Sequence, residues 1–482
     1  MSPTPNAPKT LQDLQDLLKD DIKVKVAGID VDGVLRGKFM SKDKFLSAVR
    51  SDGFGFCSVI FGWDIHDAVY SRELLISTKA NGYRDILASI DLSTFRRIPW
   101  ENNVPFFLLS FFDPDTKKPI SADPRGVLKT TAEKAEALGY SPYAGVEYEY
   151  FNFKETANSV SDKRFDGLSP LTPGMHGYSV LRTQIHNQYF HDLFDRSVDF
   201  GIEVEGHHTE TGPGVLETAL AYTSALRMAD NAILFKYLAK SVGMTHGVIP
   251  SFMAKPWANL PGCSGHIHVS LRDKQGRNLF AVSEEELTAG RQGAANEETK
   301  YISQEAEWFL AGILDGLADI MPTLVPTING YKRLVVGDAF WAPNATTYGY
   351  DSRAASIRVI SPPSCPLPAT RFEVRVPGAD MNPYFALSAV FLLGLRGIEK
   401  KLPLTGLPIS KLTPEDKLTG KVQMLPLTLE KATARMMRPE SIAREVFGDD
   451  FVDHFGGTRE HEVRLWNEAV TNWEVERYLE LV

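Results

Sequence analysis

The segment "AGVEYEYFNF", residues 144–153, combines the periodicity of a β-strand with two acidic residues. Successive side chains of a strand point to opposite faces, so Glu147 and Glu149 project from one face and the neighbouring aromatic residues from the other. Two carboxylates side by side are typical of a cation-binding site. The segment therefore predicts a sheet with one charged face.

Two later segments, 264–271 and 370–377, repeat this alternation of polar and apolar residues. For any one of these strands, a sheet face exposed to water would explain the alternation about as well as a functional site would. Three strands that mix His and Arg with Glu favour a shared site instead. The polar residues that share a face are His266, His268 and Ser270 in the first segment, and Arg371, Glu373 and Arg375 in the second.

The segment "HHTETGPGVLETALAY", residues 207–222, places Glu210 and Glu217 on either side of a Gly-Pro-Gly turn. The pattern after this turn predicts a long helix that runs to about Gly243, and Glu217 alone would be an ordinary carboxylate at a helix start. Beside the three strands it becomes a candidate metal ligand. Five glutamates and one histidine suit Mg²⁺ or Mn²⁺ better than Zn²⁺, and paired metals typically serve phosphoryl transfer.

The segment 329–363 supplies positive charge through Arg333, Arg353 and Arg358. Guanidinium groups bind phosphate and carboxylate with two parallel hydrogen bonds. The stretch "RAASIRV" embeds two of these arginines among small and apolar residues, which is not typical of a solvated surface. We therefore expect the arginines to face an anionic substrate.

The order of these motifs resembles that of the class I glutamine synthetase family. The resemblance extends from about residue 119 to the C-terminus, including a terminal helix in "NEAVTNWEVERYLELV". It implies an α+β fold, in which a small β-grasp-like N-terminal domain precedes a large catalytic domain with a curved antiparallel sheet flanked by helices. The motifs are the Glu-x-Glu strand, "HTETGPGVLE", "SGHIHVSL", "NGYKRL", "SRAASIR" and "RFEVRVPGADMNPYFALSA".

The resemblance also implies a reaction. Members of this family form γ-glutamyl phosphate from ATP and glutamate, and an amine or ammonia then displaces the phosphate. The resemblance implies that two to three Mg²⁺ or Mn²⁺ ions per site take part in this reaction. The first ion would be held by Glu149, Glu210 and Glu217, and the second by Glu147, His266 and Glu373.

The same resemblance assigns the substrate contacts. Those to ATP would come from His268, Ser270, Arg353 and Arg358. Those to glutamate would come from Gly262, Arg333 and Arg375. Arg333 and Arg353 are also the candidate catalytic residues, because a carboxylate that attacks a triphosphate must overcome charge repulsion.

The segment "KVAGIDVDGVLRGK", residues 25–38, favours a different function when taken alone. An apolar strand that ends in Asp-x-Asp-Gly is similar to the nucleophile loop of haloacid-dehalogenase phosphatases, and "GDDFVD" at 448–453 would be the second acidic motif. That second motif, however, follows a helical pattern rather than an apolar strand. The glutamine synthetase resemblance instead implies that Asp30 is an acid in the turn of the first hairpin.

Two departures from the family bear on the acceptor. Glutamine synthetases bind ammonium with an Asp in an N-terminal loop, where this chain has Cys57-Ser58-Val59. They carry a Glu immediately before an Ala-Pro pair, where this chain has Trp341, with Asp338 out of register. Ammonium needs carboxylates, whereas an organic amine gains from apolar and aromatic contacts. The sequence thus resembles the branch of γ-glutamyl-amine ligases, which includes γ-glutamylpolyamine synthetases. A true glutamine synthetase and a non-catalytic assembly protein remain alternatives.

The composition excludes several classes of protein. With 43% hydrophobic residues among 482, the chain can bury a large core, and a net charge of −9 without a long basic run argues against nucleic acid or membrane partners. The apolar runs are shorter than the roughly 20 residues of a membrane span, and "MSPTPNAPKT" lacks a signal pattern. Three separated cysteines predict neither disulfides nor a zinc site. We expect a cytoplasmic enzyme that acts on small molecules.

The turn-rich segment 111–128 predicts the domain boundary. We expect an N-terminal domain over 1–118 and a catalytic domain over 119–482. By the family resemblance we also expect a homo-oligomer, a dodecamer of two stacked hexamers, in which the N-terminal domain of one subunit completes the site of its neighbour.

Overall fold

The chain begins with a five-stranded mixed sheet. Its strands are β1 (Lys23–Ile29), β2 (Leu35–Ser41), β3 (Phe54–Cys57), β4 (Asp85–Ile98) and β5 (Val104–Phe112). Their order across the sheet is β2-β1-β5-β4-β3, with β1 parallel to β5 and the other neighbours antiparallel. A helix follows the first hairpin, as expected for a β-grasp-like unit. The structure, a computed structural model, describes residues 7–51, 53–334, 342–413, 415–416 and 419–482.

A second sheet of eight strands carries the polar motifs. It has the order β11-β12-β13-β10-β6-β8-β7, and β9 pairs with the end of β6. Neighbours are antiparallel except β11 and β12, which are parallel. The strands are β6 (Ser141–Phe153), β7 (Val204–Thr209), β8 (Val215–Ser224), β9 (Ile249–Ser251), β10 (Gly265–Arg272), β11 (Tyr348–Tyr350), β12 (Ile357–Ile360) and β13 (Arg371–Val374).

Helices pack against both sheets. In chain order they are α1 (Leu11–Leu17), α2 (Lys42–Arg50), α3 (Pro124–Ala137), α4 (Ala157–Asp162), α5 (Asn187–Asp199), α6 (Ala225–Thr245), α7 (Glu286–Ala289), α8 (Gln304–Gly316), α9 (Met321–Leu324), α10 (Ile328–Tyr331), α11 (Pro383–Lys400), α12 (Leu429–Met437), α13 (Ile442–Phe447), α14 (Asp449–Glu468) and α15 (Asn472–Tyr478). The predicted α+β class is therefore correct.

The central helices are α6 and α11. Almost every side chain of α11 is buried, and this helix packs against α3, α6 and α8. Such burial on all sides is typical of a helix in the centre of a large core. Within the described ranges, no helix is long and apolar enough to cross a membrane.

Two sequence predictions about local structure are wrong. Glu217 does not lie at a helix start, because Val215–Ser224 is a strand and the helix begins only at Ala225. The β-branched and aromatic residues of this stretch pair with β6 and β7, and this pairing overrides the helical pattern. The predicted terminal helix is interrupted, since α14 ends at Glu468 and α15 starts at Asn472.

Asp30 lies in the turn between β1 and β2, as predicted. Its carboxylate accepts hydrogen bonds from the backbone amides of Asp32 and Val34 at 3.0 and 2.9 Å and from Arg36 Nε at 2.8 Å. Burial and the neighbouring Asp32 raise the pKa of Asp30 to about 7. All of these contacts stabilise the hairpin, which accounts for the acid without a catalytic role.

A buried ion-pair network ties three helices to the first sheet. Arg125 on α3 donates from Nε to Asp230 Oδ1 on α6 at 3.0 Å, and its Nη1 lies 2.8 Å from the carboxylate of Asp91 on β4. The Tyr384 hydroxyl on α11 donates to Asp230 at 2.6 Å. Arg125, Asp230 and Tyr384 are buried, so the network fixes three helices against the first sheet.

We predict that Arg125→Met destabilises the protein by about 3 to 5 kcal/mol, because it leaves Asp230 as an uncompensated buried charge. The measurement is the shift in the thermal or denaturant unfolding midpoint. Arg277→Met is the matched control, since Arg277 forms a 2.7 Å ion pair with Asp273 but is 77% exposed, and it should cost under about 1 kcal/mol. Equal effects of the two substitutions would contradict the assignment.

Candidate functional site

The register of six neighbouring strands aligns the candidate residues across one face of the second sheet. Directly opposed pairs have side chains on the same face, and strands lie about 4.8 Å apart, so the row is continuous. The predicted alternation in the strands is thereby confirmed. The opposed pairs are Arg358 with Glu373, His268 with Glu373, His266 with Glu147, Glu149 with Glu217, and His208 with Glu217.

One half of the row combines two glutamates with two histidines. His266 Nδ1 lies 3.7 Å from Glu147 Oε2 and 3.5 Å from Glu373 Oε1, and His268 Nε2 lies 3.0 Å from Glu147 Oε1. Burial alone would raise the pKa of both carboxyl groups. The two imidazoles outweigh burial and hold the pKa of Glu147 well below its usual value. With Arg375 they lower the pKa of Glu373 to about 2.

The other half of the row is more acidic. Ligand atoms of His208, Glu210 and Glu217 lie within 4.8 Å of one another. Burial and repulsion by Glu149 and other carboxylates raise the pKa of Glu217 to about 9. Glu210 Oε2 is buried and has no hydrogen-bond partner among the described residues. An oxygen-rich group with an unsatisfied carboxylate fits a hard divalent cation.

Glu149 occupies the position between these halves. Its Oε2 accepts a 2.7 Å hydrogen bond from the backbone amide of Ser264, and its strand neighbour is Glu217. The structure thus brings together all six predicted metal ligands, although the tight groups differ from the predicted triads. His268 joins Glu147 and Glu373, and His208 joins the acidic half.

A cavity of about 520 Å³ opens on this row. The side chains that line it include three of the predicted arginines and the carboxylates of both halves. Arg375 Nε donates to the backbone oxygen of Arg353 at 2.9 Å, and this bond holds the Arg375 side chain against the Arg353 backbone at the cavity wall. The predicted residues that line it are Glu147, Glu149, Glu210, Glu217, Gly262, His266, Arg333, Arg353 and Arg375.

Gly262 is required by close packing at this wall. A Cβ at this position would lie 2.6 Å from the backbone oxygen of Ala254 and 3.0 Å from Arg333 Cγ. Arg333 is itself buried, donates to the backbone oxygen of Val376, and has an Nε without a partner among the described residues. Burial lowers the pKa of Arg333. A larger residue at position 262 would push this guanidinium from its place.

A second cavity, of about 430 Å³, lies on the other side of Glu147, which lines both. His268 and Ser270 line it, as does Arg371, whose Nε donates to His268 Nδ1 at 3.1 Å. The Tyr222 hydroxyl bonds to the Ser270 hydroxyl. The predicted ATP residues thus divide between the two cavities, since Arg353 lines the larger one.

Arg358 lines neither cavity. Its Nη1 donates to Glu373 Oε2 at 2.9 Å, and its Nε donates to Asp351 at 2.9 Å. These bonds occupy most of the guanidinium. In this arrangement Arg358 therefore positions the Glu373 carboxylate.

Sequence reasoning missed three residues of the site. His208 shares a face with Glu210, and the rule of alternation applied to residues 204–210 would have found it. The alternation predicts the correct face for Arg371, but the family resemblance assigns it no role. Tyr178 lines the larger cavity and stacks on His208, with 4.4 Å between ring centroids. Tyr178 lies in a loop, where no periodicity could have indicated it.

Of the two departures from the family that bear on the acceptor, the structure describes the one at Cys57-Ser58-Val59. Cys57 ends β3, and Ser58 and Val59 begin a short 3-10 helix, Ser58–Phe61. None of these three lines either cavity. Trp341 and Asp338 lie outside the described residues, whereas Ala342, which follows them, lines the larger cavity.

Comparisons with known proteins agree on the family. The profile described as "Glutamine synthetase, catalytic domain" matches residues 121–478. The chain is 41% identical to "Type-1 glutamine synthetase 2" of Dictyostelium discoideum, covering 98% of this chain and 87% of that one. It is 34% identical to the "Glutamate--isopropylamine ligase" of a Pseudomonas species, covering 95% of each. A solved structure titled "GmaS/ADP complex-Conformation 1" has the same fold, with a TM-score of 0.79 and 24% identity over 97% of this chain and 99% of that one. This protein is a member of the glutamine synthetase family.

Proposed function

We propose that this protein is an ATP-dependent ligase that joins the γ-carboxyl group of glutamate to an organic amine. The observation that carries the proposal is the row of carboxylates, imidazoles and guanidinium groups that faces two adjoining cavities. A relative named for isopropylamine ligation matches nearly the whole chain, which supports an amine acceptor. Residues 1–118 would form the N-terminal domain and 119–482 the catalytic domain.

The row fits divalent cations. Glu149, Glu210 and Glu217, with His208 beside them, would hold one ion, and Glu147, Glu373 and His266 another. Mg²⁺ or Mn²⁺ bound there would neutralise phosphate charge in the transition state. The raised pKa of Glu217 and the unsatisfied oxygen of Glu210 support this assignment, because a cation would relieve both.

The arginines of the larger cavity would bind glutamate. Arg333 and Arg375 line this cavity and would attract the carboxylates of glutamate, and Gly262 leaves room for the substrate and for Arg333. Arg333 is buried, so little solvent weakens its attraction for an anion. These residues would orient the γ-carboxylate toward the smaller cavity.

The smaller cavity would hold ATP. His268 and Ser270 would contact the nucleotide, with Arg353 near the phosphates. The family resemblance also implies that Arg358 contacts ATP, although its guanidinium is bonded to Glu373 and Asp351 in this structure. Arg371 Nε donates to His268 Nδ1 at 3.1 Å, and His268 Nε2 lies 3.0 Å from Glu147 Oε1. The imidazole is thereby fixed beside the point where the two cavities meet, and this geometry supports transfer of a phosphoryl group between them.

The reaction would follow two steps. A γ-carboxylate oxygen of glutamate bonds to the terminal phosphorus as the bond to ADP breaks, which gives γ-glutamyl phosphate. The amine nitrogen then bonds to the acyl carbon, phosphate leaves with the former C–O electron pair, and the nitrogen loses a proton. Arg333 and Arg353 would offset the negative charge that accumulates in the first step.

Ammonia is the alternative acceptor, and the glutamine synthetase relative at 41% identity favours it. Two departures from the family, at Cys57-Ser58-Val59 and at Trp341, favour an organic amine. A non-catalytic assembly role is less well supported, since a scaffold has no need of a buried carboxylate row.

Oligomerisation is also proposed. The C-terminal segment 469–482 exposes several large apolar side chains, with Trp473 60% and Leu479 78% exposed in a single chain. Exposed apolar groups of this size are typical of contact surfaces. We propose a homo-oligomer, a dodecamer, in which such segments contact neighbouring subunits.

We predict that activity requires Mg²⁺ or Mn²⁺ and that Glu217→Gln reduces kcat by roughly 10² to 10³ fold, because it removes a charged ligand. The measurement is ATP- and glutamate-dependent phosphate release, with cation binding followed by calorimetry. Glu284→Gln, at an exposed position, is the control and should leave both unchanged. Full activity of the Glu217 variant, or of the wild type in excess chelator, would exclude the metal assignment.

We predict that kcat/KM is higher for an organic amine than for ammonia. Each lost charged hydrogen bond to ammonium is worth roughly 1.5 to 3 kcal/mol, so two losses amount to about 10² to 10⁴ fold. The measurement is kcat/KM for ammonia beside isopropylamine, ethanolamine, and di- and polyamines. Trp341→Glu should improve the use of ammonia, with Trp341→Phe as its control. If ammonia is preferred and Trp341→Glu has no effect, the protein is a glutamine synthetase.

We predict that removal of residues 469–482 gives a smaller assembly with lower activity, because the apolar contacts between subunits are lost. Sedimentation velocity would report the size, and phosphate release at the same concentration would report the activity. A substitution of Leu481 alone, at the very end of the chain, should have a smaller effect. A full-length protein that sediments as a fully active monomer would contradict the proposal.

A further inference from the structure

Two guanidinium groups hold the carboxylate of Glu373 in the charged row. Arg358 Nη1 donates to Glu373 Oε2 at 2.9 Å, and Arg375 Nη1 donates to Glu373 Oε1. The Oε1 atom also lies 3.5 Å from His266 Nδ1. The Glu373 side chain is 2% exposed, so water does little to weaken these contacts. The orientation of this carboxylate therefore depends on where the two arginines are held.

Asp351 holds Arg358 from its other edge. Arg358 Nε donates to Asp351 Oδ1 at 2.9 Å, and Arg358 Nη2 donates to the same oxygen. The guanidinium group is planar, and its N–H groups point in fixed directions. A carboxylate that holds the Nε and Nη2 edge therefore also sets the direction of Nη1. Asp351 thus aims the Arg358 Nη1 group at Glu373.

The main chain ties Asp351 to the strand that carries Arg358. Asp351 follows β11, and its amide donates to the backbone oxygen of Val359 on β12 at 2.9 Å. Its φ of 48° lies in the left-handed region, where Asp and Asn are found more often than most other non-glycine residues. The strand position of Arg358 and the turn at Asp351 are therefore set together.

These three side chains run from the surface into the charged row. Asp351 is 41% exposed, Arg358 is mostly buried, and Glu373 is fully buried. An ion pair with an exposed member adds little to stability. Groups that orient a metal ligand, in contrast, commonly change metal affinity by about 10 to 100 fold. Asp351 also balances the charge of Arg358, which would otherwise repel a cation bound at Glu373.

We propose that Asp351 is a positioning residue for the cation that Glu147, Glu373 and His266 would hold. It fixes Arg358 against Glu373 Oε2 and offsets the positive charge that Arg358 brings near the ion. Asp351 acts through Arg358 and touches neither the ion nor a substrate. The inference rests on the metal assignment of the proposed function.

The experiment is calorimetric titration of the full chain with Mn²⁺, without nucleotide or glutamate. Asp351→Asn removes the charge and keeps a residue that tolerates the left-handed backbone. We expect one class of Mn²⁺ sites to weaken about tenfold, with the unfolding midpoint nearly unchanged. The Mn²⁺ concentration that gives half-maximal phosphate release should rise by the same factor, while kcat at saturating Mn²⁺ stays within about twofold, because added Mn²⁺ refills the weakened site.

Asp315→Asn is the matched control. Arg396 donates to Asp315 at 2.6 Å and to Glu445 at 2.9 Å, so it also bridges two carboxylates. None of these three residues lines either cavity of the catalytic site. The control variant should therefore keep the wild-type affinity for Mn²⁺.

A second background tests whether Asp351 acts through Arg358. In Arg358→Gln, the further change Asp351→Asn should alter Mn²⁺ affinity by less than about twofold, because the group that Asp351 positions is gone. A tenfold loss in this background, an unchanged affinity in Asp351→Asn alone, or an equal loss in Asp315→Asn would overturn the inference. A wild-type chain that binds no Mn²⁺ would instead refute the metal assignment, and the inference with it.

Discussion

The register of β6 against its two neighbours is the constraint on which the site depends. Glu147 lies opposite His266 on β10, and Glu149 lies opposite Glu217 on β8. A slip of one residue would turn both glutamates into the apolar core and their aromatic neighbours into the cavity. The buried aromatic residues on the reverse face, such as Tyr148 and Tyr150, make such a slip costly. The core therefore fixes the positions of the charged groups.

The position of the first sheet depends on a second buried interaction. Asp230 receives hydrogen bonds from Arg125 and Tyr384, and Arg125 also pairs with Asp91 of the first sheet. Because these groups are shielded from water, a shift of one helix would leave charge unpaired. The same helix, α6, also carries Lys236, whose Nζ donates to the backbone oxygen of Met381 at 2.8 Å and so ties α6 to the segment that precedes α11.

Strand periodicity was sufficient to predict which residues share the charged face, because alternation is a local property. It could not give the order of strands, so the sequence did not show that His268 would lie closer to Glu147 than His266 does. The error at Glu217 has a similar cause. A stretch whose local pattern allows a helix became a strand because β6 and β7 offered it partners on both sides. Loop residues such as Tyr178 were beyond prediction, since their positions depend on tertiary contacts alone.

The two halves of the charged row differ in how their charges are balanced. In one half, His266, His268 and Arg358 surround Glu147 and Glu373, and the pKa values of both carboxyl groups are lowered. In the other half, His208 is the only described basic side chain in the tight group that contains Glu210 and Glu217, and the pKa of Glu217 is raised. The carboxylates of the first half are therefore balanced by basic groups of the protein. Those of the second half need a proton or a bound cation to balance their charge. The cavity that holds the arginines opens on both halves. A bound cation would therefore balance the carboxylates of the second half, and a negatively charged substrate would balance the cation and the arginines.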